Sequence, residues 1–217
     1  MTEEEFKKEL ERLGISVTDE KMHQLEQFYE ILIKTNKQMN LTRIVEKEEV
    51  YLKHFYDSLT LVKAYSFEGD LSLCDVGSGA GFPGIVLKIF FPNLKVTLID
   101  ALQKRINYLN EVIEALGLVG IEAVHVRAED LARQNRKFDI VTARAVASLP
   151  KLLGWCMPLV QKNGVFLAMK GNVEEELDLS SDLLQKKHWT LEKKISFLLP
   201  KEESKRTILM IKKNEAW

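Results

Sequence analysis

The sequence predicts an α/β fold, with a mostly parallel, seven-stranded sheet preceded by an N-terminal helical cap. Three observations predict it. Strand-like apolar runs alternate with helical patterns from about residue 71, a glycine-rich loop follows the first run, and the first 66 residues show only helical patterns. We expect residues 1–66 to form the cap and residues 67–217 an α/β domain, together one compact unit.

The cap contains two predicted helices. The first carries an apolar stripe at helical spacing, formed by Leu25, Phe28, Leu32 and Met39. Thr18 or Asp19 is suited to cap its N-terminus. A second helix is predicted from about residue 46 to residue 64, after a turn at residues 40–43.

Five strands are predicted in the α/β domain, at Leu71–Val76, Leu94–Asp100, Ile121–Val126, Phe138–Thr142 and Gly164–Met169. Helices are predicted between them, and Gly117 is expected to end the second. Strands that alternate with helices imply a parallel sheet covered on both faces.

The pattern of about the last 50 residues predicts that an antiparallel hairpin is added to this sheet. A polar helix near residues 174–187 precedes two strand-like runs, Leu191–Leu199 and Arg206–Ile211. The charged residues between these runs indicate a hairpin loop. For Lys201, Lys205 and Arg206 a solvated position is favoured over contacts to RNA.

Composition and charge exclude several classes of protein. The formal net charge of -1 argues against a wholly basic nucleic-acid binder, so any RNA-binding charge must be local. The acidic N-terminus has no apolar secretory segment, and no apolar run is long enough for a membrane helix. We therefore expect a cytoplasmic protein without a membrane partner. Cys74 and Cys156 lack metal-ligand spacing and are expected to be buried, inert thiols, so no metal site is predicted.

The glycine-rich loop spans residues 75–84 and is predicted to join a strand to the N-terminus of a helix. Such a loop lets a ligand approach the backbone closely. Its glycines satisfy the GxGxxG pattern of dinucleotide sites, and Asp100 lies where that pattern expects a ribose-binding acid. A nicotinamide-dependent oxidoreductase therefore shares this motif with an S-adenosyl-L-methionine enzyme.

Three acids favour S-adenosyl-L-methionine as the ligand. Asp75, two residues before Gly77 and four before Gly79, is suited to accept a hydrogen bond from the ligand's ammonium or to order the loop amides, and it would repel a pyrophosphate. Asp100 is suited to bind both ribose hydroxyls, which either ligand would allow. Glu129 is suited to pair with an adenine amino group, although it could instead cap a short helix.

The predicted strands end in polar or charged residues: Gly77, Asp100, Arg127 to Glu129, Arg144 and Lys170. The carboxyl ends of parallel strands lie along one edge of the sheet, where ligands bind in such folds. This placement predicts a local positive cluster of Arg127, Arg144 and Lys170.

These motifs resemble the bacterial small-subunit rRNA guanine-N7 methyltransferases of the RsmG (GidB) type. The similarity covers nearly the whole chain and rests on Asn40-Leu41-Thr42, His54–Leu59, Asp75–Gly84, Arg144–Leu149 and Met169-Lys170-Gly171. Phe82-Pro83-Gly84 makes it specific, because methyltransferases at large rarely continue the loop in this way. Tyr56 departs mildly from the pattern, where a smaller aliphatic residue is expected.

The resemblance implies a Rossmann-like, class I S-adenosylmethionine methyltransferase. Its implied target is guanine 527 in the 530 loop of 16S rRNA, presented as rRNA or as the small ribosomal subunit, with no obligate protein partner. It also implies cofactor contacts from Gly77, Phe82, Ala128, Glu129 and Arg144.

The chemistry of N7 methylation agrees with the residues present. The N7 lone pair is available, so no general base is required, and Arg144 and Lys170 are expected to act by positioning. Asn40, His54, Asp57 and Arg127 are the expected substrate-binding residues. Alternatively, His54 and Asp57 form hydrogen bonds that fix the cap, or the chain is a non-catalytic RNA-binding protein that kept the fold.

Overall fold

The computed structural model describes residues 1–214 of the chain. Its strands are β1 (Ser72–Val76), β2 (Lys95–Asp100), β3 (Ile121–His125), β4 (Phe138–Arg144), β5 (Val160–Lys170), β6 (Trp189–Leu198) and β7 (Lys205–Lys213). Its α-helices are α1 (Glu3–Arg12), α2 (Asp19–Asn36), α3 (Lys47–Val50), α4 (Asp57–Leu59), α5 (Gly84–Phe90), α6 (Gln103–Leu116), α7 (Ala128–Arg133), α8 (Leu149–Cys156) and α9 (Glu174–Lys187). Among these residues, no helix has the length and apolarity needed to cross a membrane.

The strands form one seven-stranded sheet in the order β3-β2-β1-β4-β5-β7-β6. The first five strands pair in parallel, whereas β7 runs antiparallel to both β5 and β6. The predicted fold class is therefore confirmed, including the antiparallel hairpin at one edge. In that hairpin Thr207 pairs with Lys170, so the start of β7 lies beside the carboxyl end of β5.

Local sequence signals account for the helix ends. The side chain of Thr18 accepts a hydrogen bond from the Lys21 amide and caps α2, and Gly117 ends α6 with a left-handed φ of +63°. The predicted start of β5 was wrong, because β5 begins at Val160 and continues through exposed polar residues. A strand segment with exposed polar side chains forms no continuous apolar run, so the apolar pattern does not reveal it.

The helix predicted at residues 46–64 is observed as a composite. After α3 the chain forms a π-helical turn over Tyr51–Tyr56, then α4, then a 3₁₀ turn over Thr60–Lys63. π-Helical turns are frequent at functional sites. This one brings His54 and Asp57 towards the carboxyl end of β4, where both contact Arg144.

One apolar core joins the cap to the sheet. Phe6, Phe28 and Phe55 belong to the same buried cluster as Ile85 and Leu98. The aromatic rings of Phe28 and Phe55 stack with centroids 5.7 Å apart, and Phe28 also contacts Phe82 of the glycine loop at 5.3 Å. The cap therefore packs directly on the loop, and the boundary after residue 66 stays a prediction.

Both cysteines are buried, as predicted. Cys74 lies in β1 and Cys156 in α8. Burial raises the pKa of each thiol above its ordinary value. Within the described residues, no three side chains of His, Cys, Asp or Glu are grouped as a metal site requires.

Candidate active site

The glycine loop leaves β1 in a conformation that depends on glycine. Gly77 has a φ of +70°, and its amide donates to Ile99 O at 2.9 Å. A Cβ on Gly84 would overlap Leu98 and would lie 2.8 Å from Asp75 Oδ2. α5 therefore packs against β1 and β2 more closely than any side chain at residue 84 would allow.

Asp75 is buried beneath this loop, with 0% of its surface exposed. Its Oδ2 accepts a hydrogen bond from the Gly84 amide at 2.9 Å, whereas Oδ1 is buried without a partner among residues 1–214. Burial raises the pKa of Asp75 to about 7, against the lowering effects of the Gly84 amide and Arg144. Asp75 thus orders a loop amide, which is one of its two predicted roles, and its Oδ1 is left without a hydrogen-bond partner among the described residues.

Two cavities lie over Gly77 at the carboxyl ends of the strands. The β2–β3 cavity, about 220 Å³, is lined by Val76, Gly77, Ile99, Asp100, Ala101, Val126, Arg127, Ala128, Glu129, Val146 and Trp155. The loop cavity, about 390 Å³, is lined by Leu41, His54, Gly77, Ser78, Gly79, Ala80, Phe82, Asp100, Ala101, Arg105, Arg144, Ala145 and Val146. The predicted cofactor residues therefore line these two cavities, apart from the buried Asp75.

Asp100 borders both cavities and already holds the loop. Its Oδ2 accepts from the Gly79 amide at 3.0 Å and lies 3.5 Å from Arg105, while Oδ1 accepts from the Leu102 amide at 3.0 Å. A carboxylate oxygen has two lone pairs, so each can still accept from a ribose hydroxyl.

Val146 lines both cavities and was missed as a site residue by the sequence reasoning. It follows Ala145, which has a left-handed φ of +52°, and it is 39% exposed despite being apolar. A Cβ on Gly77 would lie 2.8 Å from its Cγ2. No periodicity in the sequence indicates that this residue reaches back over the glycine loop.

Arg144 connects the sheet to the cap at the carboxyl end of β4. Its Nη1 donates to Lys53 O at 3.1 Å and to Asp57 Oδ2 at 3.3 Å, and its Nη2 donates to His54 Nδ1 at 2.9 Å. Its guanidinium also lies over the Phe82 ring, 5.1 Å from the centroid. Arg144 is therefore held on several sides at the boundary of the loop cavity.

His54 is held in one tautomer by this arrangement. Because Arg144 can only donate, Nδ1 of His54 is the acceptor, and Nε2–H donates to Thr42 Oγ1 at 2.8 Å. The imidazole stacks on Phe82 with centroids 4.4 Å apart. Burial and the neighbouring Arg144 lower its pKa to about 3. His54 is thus neutral at physiological pH.

The lowered pKa of His54 predicts how the free energy of unfolding depends on pH. Folded His54 binds a proton only near pH 3, whereas an unfolded histidine does so near 6.5. Between these values the unfolded state binds more protons, so the free energy of unfolding falls as the pH drops below about 6.5. We expect His54→Gln to be less stable at pH 7.5 yet to lose less stability on acidification to pH 5, measured by urea unfolding.

The comparison variant for this experiment is His23→Gln, which replaces an exposed histidine. Carboxylates titrate in the same range, but their contribution cancels in the difference between each variant and the wild type. An unchanged slope for His54→Gln would mean that the folded protein accepts a proton on His54 without cost.

A third cavity adjoins the loop cavity, and we call it the β5–β7 cavity. It has a volume of about 360 Å³ and is lined by Ile44, Lys53, His54, Asp57, Thr60, Arg144, Ala145, Met169, Lys170, Gly171, Phe197, Arg206, Thr207 and Ile208. It shares His54, Arg144 and Ala145 with the loop cavity. The structure therefore places two of the predicted substrate-binding residues, His54 and Asp57, on one wall beside the predicted cofactor residues.

Arg206 belongs to this site, which corrects the expectation that it is solvated with the hairpin loop. Its Nε donates to Asp57 Oδ1 at 3.2 Å. A signal was present in the sequence: a strand antiparallel to β5 must begin at the edge where β5 ends. Its neighbour Lys201 instead pairs with Glu5 of the cap, and Lys205 lies 3.9 Å from Glu174.

The predicted positive cluster is formed only in part, because Arg144 and Lys170 line the β5–β7 cavity and Arg127 does not. Lys170 lines the β5–β7 cavity, but its ammonium donates to Ala147 O at 2.6 Å and pairs with Glu176 at 3.3 Å. Arg127 is exposed and lines the β2–β3 cavity, which Arg144 does not line. The reason is the strand order, because β1 and β2 lie between the ends of β3 and β4.

Asn40 is exposed and lines none of these three cavities. The side chain that organises its turn is Asn36, whose Oδ1 accepts from the amides of Leu41 and Thr42 at 2.8 and 2.9 Å. Asn36 was missed, because an asparagine at a polar helix end carries no distinctive pattern, and Thr42 was noted only as part of the Asn40-Leu41-Thr42 motif. Substrate binding by Asn40 and Arg127 stays a prediction.

The strand order, and the cavities at the carboxyl ends of the strands, are those of the class I methyltransferase fold. A S-adenosylmethionine-dependent methyltransferase from Aquifex aeolicus superposes with a TM-score of 0.56 at 17% identity, covering 82% of this chain and 97% of its own. A ribosomal protein L11 methylase from Lactobacillus delbrueckii gives a TM-score of 0.57 at 18% identity, covering 78% of this chain and 80% of its own. Similarity at this level establishes the fold alone.

Sequence similarity then identifies the family. The family model described as rRNA small subunit methyltransferase G (GidB) matches residues 21–208. Ribosomal RNA small subunit methyltransferase G of Bacillus cytotoxicus is 48% identical, and that of Bacillus cereus 47%, each across 98% of this chain and 91% of the relative. The chain belongs to the rRNA small subunit methyltransferase G family, which confirms the resemblance found in the sequence.

Proposed function

We propose that this protein transfers a methyl group from S-adenosyl-L-methionine to N7 of a guanine in small-subunit ribosomal RNA. The observation that carries the proposal is the adjacency of three cavities at the carboxyl ends of the strands. Two flank Gly77 and suit an extended cofactor, and the β5–β7 cavity meets the second of them at Arg144 and His54. The names of the relatives support rRNA as the substrate.

The residues present fit the cofactor. The β2–β3 cavity suits adenosine, with Glu129 and the Ala128 backbone beside the base and Asp100 beside the ribose. The loop cavity suits the methionine portion. The buried, unpartnered Oδ1 of Asp75 is an acceptor of the kind that an ammonium group requires. When bound, S-adenosylmethionine supplies an electrophilic methyl group on a positively charged sulfur.

The protein's contribution to this chemistry is positioning. Guanine N7 carries a free lone pair, so no proton has to leave before the methyl group is attacked. His54 is neutral and already hydrogen-bonded through both nitrogens, consistent with a role in holding Arg144 and Phe82 rather than in proton transfer. Correct placement of two reactants alone can contribute about 7–11 kcal/mol. Under this proposal, Arg144 and Lys170 contribute by fixing the walls of the cavities.

The proposed target is guanine 527 in the 530 loop of 16S rRNA, as free rRNA or within the small subunit, in the cytoplasm and without an obligate protein partner. Lys53 and Arg206 line the β5–β7 cavity and are partly accessible. Such cations bind phosphate and make affinity fall as salt rises.

Methyl transfer from labelled S-adenosylmethionine to 16S rRNA from a strain lacking this protein tests the proposal. We expect label in one nucleotide of the 530 loop, with strand cleavage there after borohydride and aniline, which reveal N7-methylguanosine. Label at another atom or site would contradict the target assignment. Binding of NADH without methyl transfer would instead support an oxidoreductase, and rRNA binding without transfer a non-catalytic protein, although the family favours neither.

A further inference from the structure

The β5–β7 cavity contains one carboxylate among several cations. Within the described lining, Asp57 is the only acidic side chain, whereas Lys53, Arg144, Lys170 and Arg206 are all basic. Asp57 lines this cavity but neither of the two cavities over Gly77. Asp57 therefore faces the β5–β7 cavity without lining the predicted cofactor site, whereas its partner Arg144 lines both.

The carboxylate of Asp57 is fixed in place from two sides. Arg206 Nε of β7 donates to Oδ1 at 3.2 Å, and Arg144 Nη1 of β4 donates to Oδ2 at 3.3 Å. Each oxygen then has a second lone pair unused by these contacts. Burial raises the pKa of Asp57, and both arginines oppose that rise. The two oxygens at the wall of this base-sized cavity can therefore each accept one more donor, side by side, from a ligand.

Guanine provides two such donors side by side. Its N1–H and 2-amino group form one edge of the base, and a carboxylate accepts from both in a charge-assisted pair. Adenine and cytosine place an acceptor beside their amino group, and uracil has a single donor between two carbonyls. N7 lies on the opposite side of the purine from C2, so a guanine held in this way turns N7 away from the carboxylate.

We infer that Asp57 reads the target base by accepting hydrogen bonds from N1–H and the 2-amino group of guanine, with Arg206 as its positioning residue. This inference rests on the proposed function. It explains why β7, which lies between β5 and β6, supplies an arginine to a buried carboxylate of the cap. It also gives the cavity a selectivity for guanine that contacts to phosphate cannot supply.

The test compares guanosine with inosine, which lacks only the 2-amino group, at the target position of a ligated 16S rRNA. We expect wild-type kcat/KM to fall about ten- to a hundredfold on inosine. For Asp57→Asn we expect a comparable loss on guanosine and little further loss on inosine. Asp182→Asn, an exposed acid on α9, is the matched control and should behave like the wild type.

An inosine penalty of equal size in the wild type and in Asp57→Asn would overturn the inference, as would wild-type enzyme that methylates inosine and guanosine equally. The second outcome needs no variant and remains decisive if Asp57→Asn fails to fold. Arg206→Gln should reduce the ratio of kcat/KM on guanosine to kcat/KM on inosine, and Arg206→Lys should partly restore that ratio. Failure of the wild type to methylate guanosine at all would contradict the proposed function instead.

Discussion

Replacement of Arg144 with alanine is expected to reduce kcat/KM for rRNA methylation about a hundredfold or more, because the guanidinium fixes three neighbours at once. It donates to Lys53 O, His54 and Asp57, and it covers Phe82. Without these contacts, the side chains between the loop cavity and the β5–β7 cavity are no longer held in place. Single-turnover methyl transfer on 16S rRNA would measure the effect.

The same substitution is expected to destabilise the fold, which the sequence did not indicate. Asp57 is 4% exposed, and removal of one partner of a buried ion pair costs about 3–5 kcal/mol. Arg206 still pairs with Asp57, so we expect the lower end of that range. Arg144→Lys should recover much of the stability but little of the activity, because an ammonium cannot reach all three acceptors.

Arg133→Ala is the control for these variants. Its side chain is 79% exposed and pairs with Asp130, and such pairs contribute little. If Arg144→Ala were as active as Arg133→Ala while remaining folded, Arg144 would have no place in the site.

Gly77→Asp is expected to abolish S-adenosylmethionine binding, measured by titration calorimetry. The backbone at Gly77 has a φ of +70°, which costs other residues roughly 1–2 kcal/mol. A Cβ there lies 2.8 Å from Val146, and the added carboxylate would occupy the passage between the β2–β3 cavity and the loop cavity. The ligand and the new side chain therefore compete for one space.

Gly14→Asp separates the backbone cost from the loss of the ligand site. Gly14 has a similar φ of +75°, but a Cβ there meets nothing within 4 Å. We expect Gly14→Asp to lower stability modestly and to bind the ligand normally. Equal binding by Gly77→Asp and the wild type would contradict the placement of the cofactor over this loop.

The sequence alone determined the fold class and the order of the elements. Strand-like runs alternating with helical patterns are local signals, and parallel crossovers follow from them with little freedom. The same reasoning placed Gly77, Asp100, Glu129 and Arg144 at one edge, because parallel strands end on the same side. The start of β5 was misjudged, because the strand begins with polar residues at exposed positions.

Only the tertiary structure decided which of these residues meet. Strand order separates Arg127 from Arg144, and the reversed direction of β7 brings Arg206 to Asp57, 149 residues away in the sequence. The π-helical turn aims His54 and Asp57 at Arg144, and Val146 folds back over Gly77. Periodicity reports the face that a side chain occupies within its own element. Contacts between distant elements depend on how those elements pack, so the partners of Arg144 and Asp57 had to be observed.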